Sequence, residues 1–397
     1  MEPTQEHPQE LGRVLRREIA AAGPISFARF MEHCLYHPAF GYYSRGLGGG
    51  GGRDYVTSSS LHRAFGALMA RQAEEMWRGA GRPAPFRFVE FGPGEGTFAC
   101  DFLGAAAARM EFARALEYVL VEPSPALRAR QRERLSHLAP ALAGLPEPRW
   151  VDLETLASAG VPDGCLFANE VLDAFPVHRV VGTAEGPREI HVAVREEGLL
   201  ETLLPLSDDR LAAFLDESGI GLEEGQEVDI SLEAPRFTGR IARLLGRGYV
   251  LIVDYGYEAA DLYHAARRRG TLLAYHRHRT NEEFLARPGE QDLTAHVDFT
   301  AVVRAALQAG MRVAGRTSQA HFLLALGALE FLEDASLSER ETLKEIVLPD
   351  RMGGAFRVLV LAKGDVPDSL RGLTAPWEAV SAPASPASFR DTPQARV

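Results

Sequence analysis

Cysteine, lysine, excess positive charge and long apolar runs are all scarce in this chain, and each shortage removes a class of function. Three cysteines in 397 residues, Cys34, Cys100 and Cys165, are too few and too scattered for a disulfide framework or a metal cage. No metal is therefore expected, and a reducing cytoplasm suits the composition. A formal net charge of −11 offers no basic surface on which to release counterions, which excludes nucleic acid as the principal partner. No apolar run approaches the ~20 residues that span a bilayer, so membrane insertion is not expected. The opening MEPTQEHPQE is acidic and polar, unlike a secretory or organellar leader, which again points to the cytoplasm. Lys344 and Lys363 are the only lysines, so arginine carries the positive charge, as in a GC-rich bacterial genome.

What is present is a chain rich enough in apolar residues, at 46%, to bury one large core or two moderate ones. Apolar positions recur at helical spacing over 10–22, 26–36 and 60–78, with Ser26 placed as a helix cap. The texture changes at Phe86. FRFVEF, EYVLVE (117–122), PRWVD (148–152) and CLFANE (165–170) are short apolar runs separated by helical patterns over 97–108 and 124–137 and a shorter one after Asp152. Such alternation means a parallel sheet covered on both faces. The run EIHVAVREEGLLETLLPL reads as an interrupting hairpin turning at Glu197-Gly198. The winding resumes with a helix over 235–245 and the strand YVLIVDYG (249–256), followed by an irregular segment to 298, a helix over 299–309 and strands at 312–315 and 356–362. Seven strands with a late antiparallel ending fit the α/β doubly wound, Rossmann-like class I methyltransferase sheet better than a six-stranded dinucleotide fold. The expected organisation is an N-terminal helical and lid region over 1–80, a catalytic domain over 81–364 with insertions at about 181–235 and 257–298, and a Pro/Ala/Ser-rich disordered tail over 365–397.

Two glycine-rich stretches compete for a ligand. EFGPGEGT, Glu90 to Thr97, lies between a strand and a helix, where Gly92, Gly94 and Gly96 let the backbone turn tightly and meet a ligand at the helix N-terminus. Its spacing is neither the dinucleotide fingerprint nor a Walker loop, which favours S-adenosylmethionine over NAD or ATP. The next strand ends in Glu122, able to accept both ribose hydroxyls of an adenosyl group, with Pro123 and Ser124 following. The third ends in Asp152, placed for the adenine amino group, though either acid could instead cap a helix. The fourth closes in ANEVLDAFPVH, aiming Asn169, Glu170 and Asp173 at the methionine end of the cofactor and at the methyl acceptor unless they pair structurally.

The stretches ARFMEHCLYHPAFGYYS, RDYVTSSSLHRAFGALMA, EFGPGEGTFACDFL, VLVEPSPALRARQ, ANEVLDAFPVHR, VDYGY and RPGEQDLTAHVDF, in order from about Gly23 to Gly364, resemble successive motifs of the MidA family. The resemblance implies a seven-strand S-adenosylmethionine methyltransferase that methylates an arginine of a protein client, in mitochondrial members a respiratory complex I core subunit. It also implies that Asp54, Thr57 and Ser58 fold over the cofactor, leaving the glycine run at 48–52 as a spacer and lid hinge. The chain departs from the family pattern at Arg53 (usually Gly), Ser59-Ser60 (usually Pro-Glu) and Glu95 (usually Arg-like).

Arginine methylation asks for carboxylates, because a guanidinium stays protonated and must be oriented with its charge drawn to the nitrogens that do not react. Glu170 and Asp173 are the first candidates, with Asp254, Glu290, Asp292 and Asp298 behind them. His296 could relay the released proton or be an ordinary hydrogen-bonded residue. Because a fold does not fix its acceptor, a small-molecule methyltransferase and a non-catalytic assembly factor stay open as alternatives.

Overall fold

The computed structural model describes residues 7–48, 58–138, 144–196, 198–277, 279–333 and 335–374. Its centre is a sheet of strands β1 (Phe86–Phe91), β2 (Leu116–Val121), β3 (Arg149–Val151), β4 (Val161–Asn169), β5 (Leu245–Tyr257), β6 (Arg312–Ser318) and β7 (Phe356–Lys363). They lie side by side in the order β3-β2-β1-β4-β5-β7-β6. The first five are parallel, with Val89 opposite both Val119 and Leu166, whereas β7 runs antiparallel to both its neighbours. This is the doubly wound methyltransferase sheet that the run of apolar strands predicts. One face packs on helices Ala64–Gly79 and Thr97–Ala107, the other on Glu233–Leu244 and Phe299–Gln308. Strand order reverses between β1 and β4, and ligands of such sheets bind outside the carboxyl ends at that reversal.

The described parts of the first 80 residues join two different cores. Ser26 caps helix Phe27–Tyr36 as its position suggests, accepting from Arg29 N at 3.2 Å. Ile25, however, pairs across a sheet with Val192. That second sheet is antiparallel, made of Ile25–Ser26, His178–Thr183, Gly186–Arg195, Gly198–Leu204 and Glu227–Ile230. Phe27, Phe30 and Leu35 share a core with Val177, Val192, Leu272 and Leu293. Helix Ala64–Gly79, by contrast, belongs to the core of the central sheet. The 1–80 region therefore divides, its first part joining the insertions.

Two further expectations change. The irregular stretch over 257–298 contains a three-stranded sheet of Leu273–His276, Arg279–Asn281 and Asp292–Thr294. The tail begins later than 365: Leu370 is buried, Gly372 N donates to Gln72 Oε1 at 3.0 Å, and Tyr249 donates to the Pro367 carbonyl at 2.7 Å. The rest of the expected tail, and nearly all of the glycine run, lie outside the described residues. Among the described residues no helix is long and apolar enough to cross a membrane.

Candidate active site

At the end of β1 the chain turns through Gly92, Gly94 and Gly96, with φ of +61°, +53° and +82°, the left-handed region that costs glycine least. A Cβ on Gly92 would lie 3.0 Å from Val171 Cγ2, and one on Gly96 would lie 3.2 Å from Gln131 Cγ. Backbone bonds pin the turn, Gly92 N to the Val121 carbonyl at 3.1 Å and Gly96 N to the Pro93 carbonyl at 2.8 Å. Thr97 then opens helix Thr97–Ala107. Gln131, fully buried, donates to the Gly94 carbonyl at 2.7 Å, lies 3.5 Å from Glu122 Oε2, and accepts from Trp150 Nε1 at 2.8 Å. It ties the glycine turn to the acid beside it.

Glu122 is buried and takes the Ser124 N–H at 2.7 Å, while Ser124 caps helix Pro125–Ser136. Burial pushes its pKa up to about 7. Glu90, also buried, accepts from Tyr118 at 2.6 Å, and burial takes it to about 8. Asp152 is exposed and caps helix Leu153–Ala159 through a 2.6 Å bond from Thr155 N, the helix-cap alternative for that residue. Glu95 sits between Arg134 (3.0 Å) and Arg130 (3.4 Å), so the acid at this position is neutralised from the next helix. Asp54 and Thr57 lie outside the described residues, and Ser58 begins the short helix Ser58–Leu61.

Across the crevice, β4 ends in Asn169, whose Nδ2 donates to Glu170 Oε1 at 3.2 Å and whose buried Oδ1 has no partner among the described residues. Glu170 is itself left-handed at φ +53°, with its N–H on the Val253 carbonyl and its Oε2 accepting from Tyr255 at 3.2 Å. Asp173 is 5% exposed, and its Oδ1 also lacks a partner among the described residues. Burial, then the nearby charges of Asp254, Glu170 and Asp292, hold its pKa far above the carboxylate range. Tyrosines from distant segments reach the same place. Tyr36 donates to the Ala174 carbonyl at 2.8 Å and stacks on Tyr43 at 5.6 Å, and Tyr43 donates to buried Asp292 at 2.9 Å. Tyr275 pairs with Asp292 in the small sheet and feels the charges of Asp173, Asp292 and Glu170.

A family model of S-adenosyl-L-methionine-dependent methyltransferases matches residues 68–317. The chain belongs to this methyltransferase family. The mitochondrial protein arginine methyltransferase NDUFAF7 homolog of Drosophila melanogaster is 30% identical, over 92% of this chain and 90% of its own. Its Homo sapiens counterpart is 29% identical, over 91% and 85%. A crystal structure from Burkholderia thailandensis bound to S-adenosyl-homocysteine superposes with a TM-score of 0.83 at 33% identity, covering 94% of this chain and 97% of that one.

The methyltransferase's cofactor is thus S-adenosyl-L-methionine, and the residues present fit it: a turn with three left-handed glycines, the buried acid Glu122 held by two donors, and an amide oxygen at Asn169 without a partner among the described residues. Four carboxyl candidates sort differently from expectation. Glu170, Asp173 and Asp292 converge, while Asp298 caps helix Phe299–Gln308 through Ala301 N at 3.0 Å. His296 lies against Tyr255 and Tyr257, and burial lowers its pKa to about 4, which leaves it neutral at pH 7 and a poor proton acceptor. Gln131 and the four tyrosines carry no local signal, because each acts through a contact made in the folded chain.

Proposed function

We propose that this methyltransferase transfers its methyl group to an arginine side chain of a protein. The observation that carries the reading is the meeting of Glu170, Asp173 and Asp292 with Tyr36, Tyr43, Tyr255 and Tyr275 at the carboxyl ends of β4 and β5. Carboxylates arranged with aromatic rings suit a planar, delocalised cation, which donates forked hydrogen bonds and makes ring contacts together. That the relatives in Drosophila melanogaster and Homo sapiens are named protein arginine methyltransferases supports the same acceptor.

When bound, the cofactor supplies a methyl carbon activated by its sulfonium. The chain must supply position. In this reading Gly92, Pro93, Gly94, Gly96 and Thr97 seat the cofactor beside Glu90, Glu122 takes the ribose hydroxyls with Pro123 and Ser124 shaping its loop, Asp152 takes the adenine with the oxygen that does not cap its helix, and Asn169 takes the amino-acid end. Glu170 and Asp173 grip the acceptor and draw its charge to the nitrogens that do not react, since a guanidinium gains a usable lone pair only by such localisation. An arriving cation favours the ionised form of Asp173, so its proton leaves as the acceptor binds. The proton that the methylated guanidinium nitrogen releases passes to the ionised carboxylate of Asp173, and His296, whose pKa burial lowers, completes the wall.

The reaction belongs in a reducing compartment such as the cytoplasm, which the three buried, unbonded cysteines support. A core subunit of respiratory complex I, as the family resemblance implies, is the first client to try. Tritium from labelled S-adenosyl-L-methionine should enter a protein band and be recovered as methylarginine. Label confined to a low-mass fraction would replace this reading with a small-molecule acceptor, and binding without turnover would replace it with a non-catalytic role.

A further inference from the structure

Asp254 lies near the end of β5 with 0% exposure, and its carboxylate faces backbone N–H groups. One oxygen accepts from the successive N–H groups of Val171, Leu172 and Asp173 at 3.2, 2.9 and 3.4 Å, and the other from Tyr255 N at 2.9 Å. A buried carboxylate engaged by the main chain in this way is better placed to hold backbone than to grip an acceptor. Three of these N–H groups belong to the residues that directly follow Glu170, the residue forced to φ +53° although it carries a full side chain, and β5 also takes the Glu170 N–H on its Val253 carbonyl. Such a conformation costs on the order of 1 kcal/mol or more and persists only where its surroundings over-determine it. Glycine would hold the turn without that cost. A glutamate there makes sense if the direction of its side chain is what the turn provides.

We propose that Asp254 is a positioning residue: by gathering the N–H groups of residues 171–173 it holds Glu170 left-handed and aims Glu170 and Asp173 into the crevice. The proposal rests on the reading of these two carboxyl groups as the acceptor clamp. Asp254 and Asp173 repel one another as neighbouring buried acids, and burial pushes the pKa of Asp254 up to about 7 against the N–H donors, which favour its ionised form.

The test is Asp254→Asn, whose amide must turn an N–H₂ group toward one set of donors. Hydrogen exchange at the amides of Val171, Leu172 and Asp173 should quicken by about tenfold or more while the amides of Gly92 to Gly96 keep their protection. Affinity for S-adenosyl-homocysteine should stay within about threefold, and kcat/KM for the acceptor protein should fall roughly thirtyfold. The deciding measurement is the cycle with Glu170→Gln: if Asp254 acts through Glu170, the double variant loses little beyond Glu170→Gln alone. Losses that multiply, or unchanged exchange, overturn the proposal. Should Asp254→Asn not fold, Asp254→Ser removes the bridge without opposing N–H groups. If the parent protein transfers no methyl to arginine, the proposed function fails, and the exchange measurement still decides whether Asp254 holds the turn.

Discussion

The two sides of the crevice use one backbone conformation for opposite ends. On the cofactor side the left-handed positions are Gly92, Gly94 and Gly96, so the backbone itself faces the ligand. On the acceptor side the left-handed position is Glu170, and the backbone serves to throw a side chain forward. The first arrangement is cheap and tolerates any ligand that wants N–H groups and close approach. The second is strained and needs Asp254 to keep it. A cofactor common to many enzymes can be held by main chain, whereas a particular acceptor has to be met by particular side chains.

Substitutions on the two sides should therefore separate binding from turnover. The largest effect belongs to Glu170→Gln, which keeps shape and removes charge: methylation should fall by about two orders of magnitude, equivalent to about 3 kcal/mol of transition-state stabilisation, with cofactor affinity moved no more than a fewfold. Turnover at the parent rate would transfer the clamp to Asp173 and Asp292. Next comes Glu122→Ala, predicted to weaken S-adenosyl-L-methionine and S-adenosyl-homocysteine alike by about 1.5–3 kcal/mol in a calorimeter. If melting temperature drops and affinity does not, Glu122 only braces Ser124.

A smaller effect distinguishes the sides by pH. Glu122 and Glu90 have folded pKa values of about 7 and about 8, above their unfolded values, so the folded state binds the extra protons. Their contribution to stability is complete below about pH 4.5 and is lost as pH rises through about 7 to 8. The ligand-free protein should melt progressively lower across that window. Cofactor affinity should move the other way, rising several-fold between pH 6 and 8, because ribose hydroxyls donate best to ionised Glu122. Glu122→Gln should flatten the affinity profile, and a slope that survives it would point to Glu90. The smallest effect is His296→Phe: kcat should change by less than about threefold, whereas loss of a true proton relay would cost about a hundredfold.

Much of the cofactor side was legible in the sequence because its parts are neighbours along the chain. FRFVEF followed by three spaced glycines, then EYVLVE ending in an acid, contains strand, turn and buried strand-end acid in one readable series, and the strand order follows from the winding. Asp152 was legible as a residue and ambiguous in role, since a strand-end acid and a helix cap look alike before folding. The acceptor side was legible only at Glu170 and Asp173. Tyr36, Tyr43 and Tyr275 sit on helical and irregular-looking stretches, and nothing in their spacing says that Ile25 pairs with Val192 or that Tyr275 faces Asp292. Asp254 read as one more acid at a strand end, and only its four N–H donors show that its oxygens are engaged by the backbone.

The hydrogen bond from Tyr43 to Asp292 spans 249 positions, and that from Tyr36 to Ala174 spans 138, while Tyr118 to Glu90 and Gln131 to Gly94 span 28 and 37. Closing long loops costs chain entropy before any contact rewards it, so short-range structure tends to form first. During synthesis the cofactor side can assemble once its strands have left the ribosome. The first helices find their sheet partner only when Val192 emerges, and Tyr43 must wait for residue 292. The acceptor side is then completed after the glycine turn and its neighbouring acids, although the sheet beneath both closes only when Phe356–Lys363 joins β5, and a molecule that lost only these long-range contacts would hold cofactor in a cleft with no client wall.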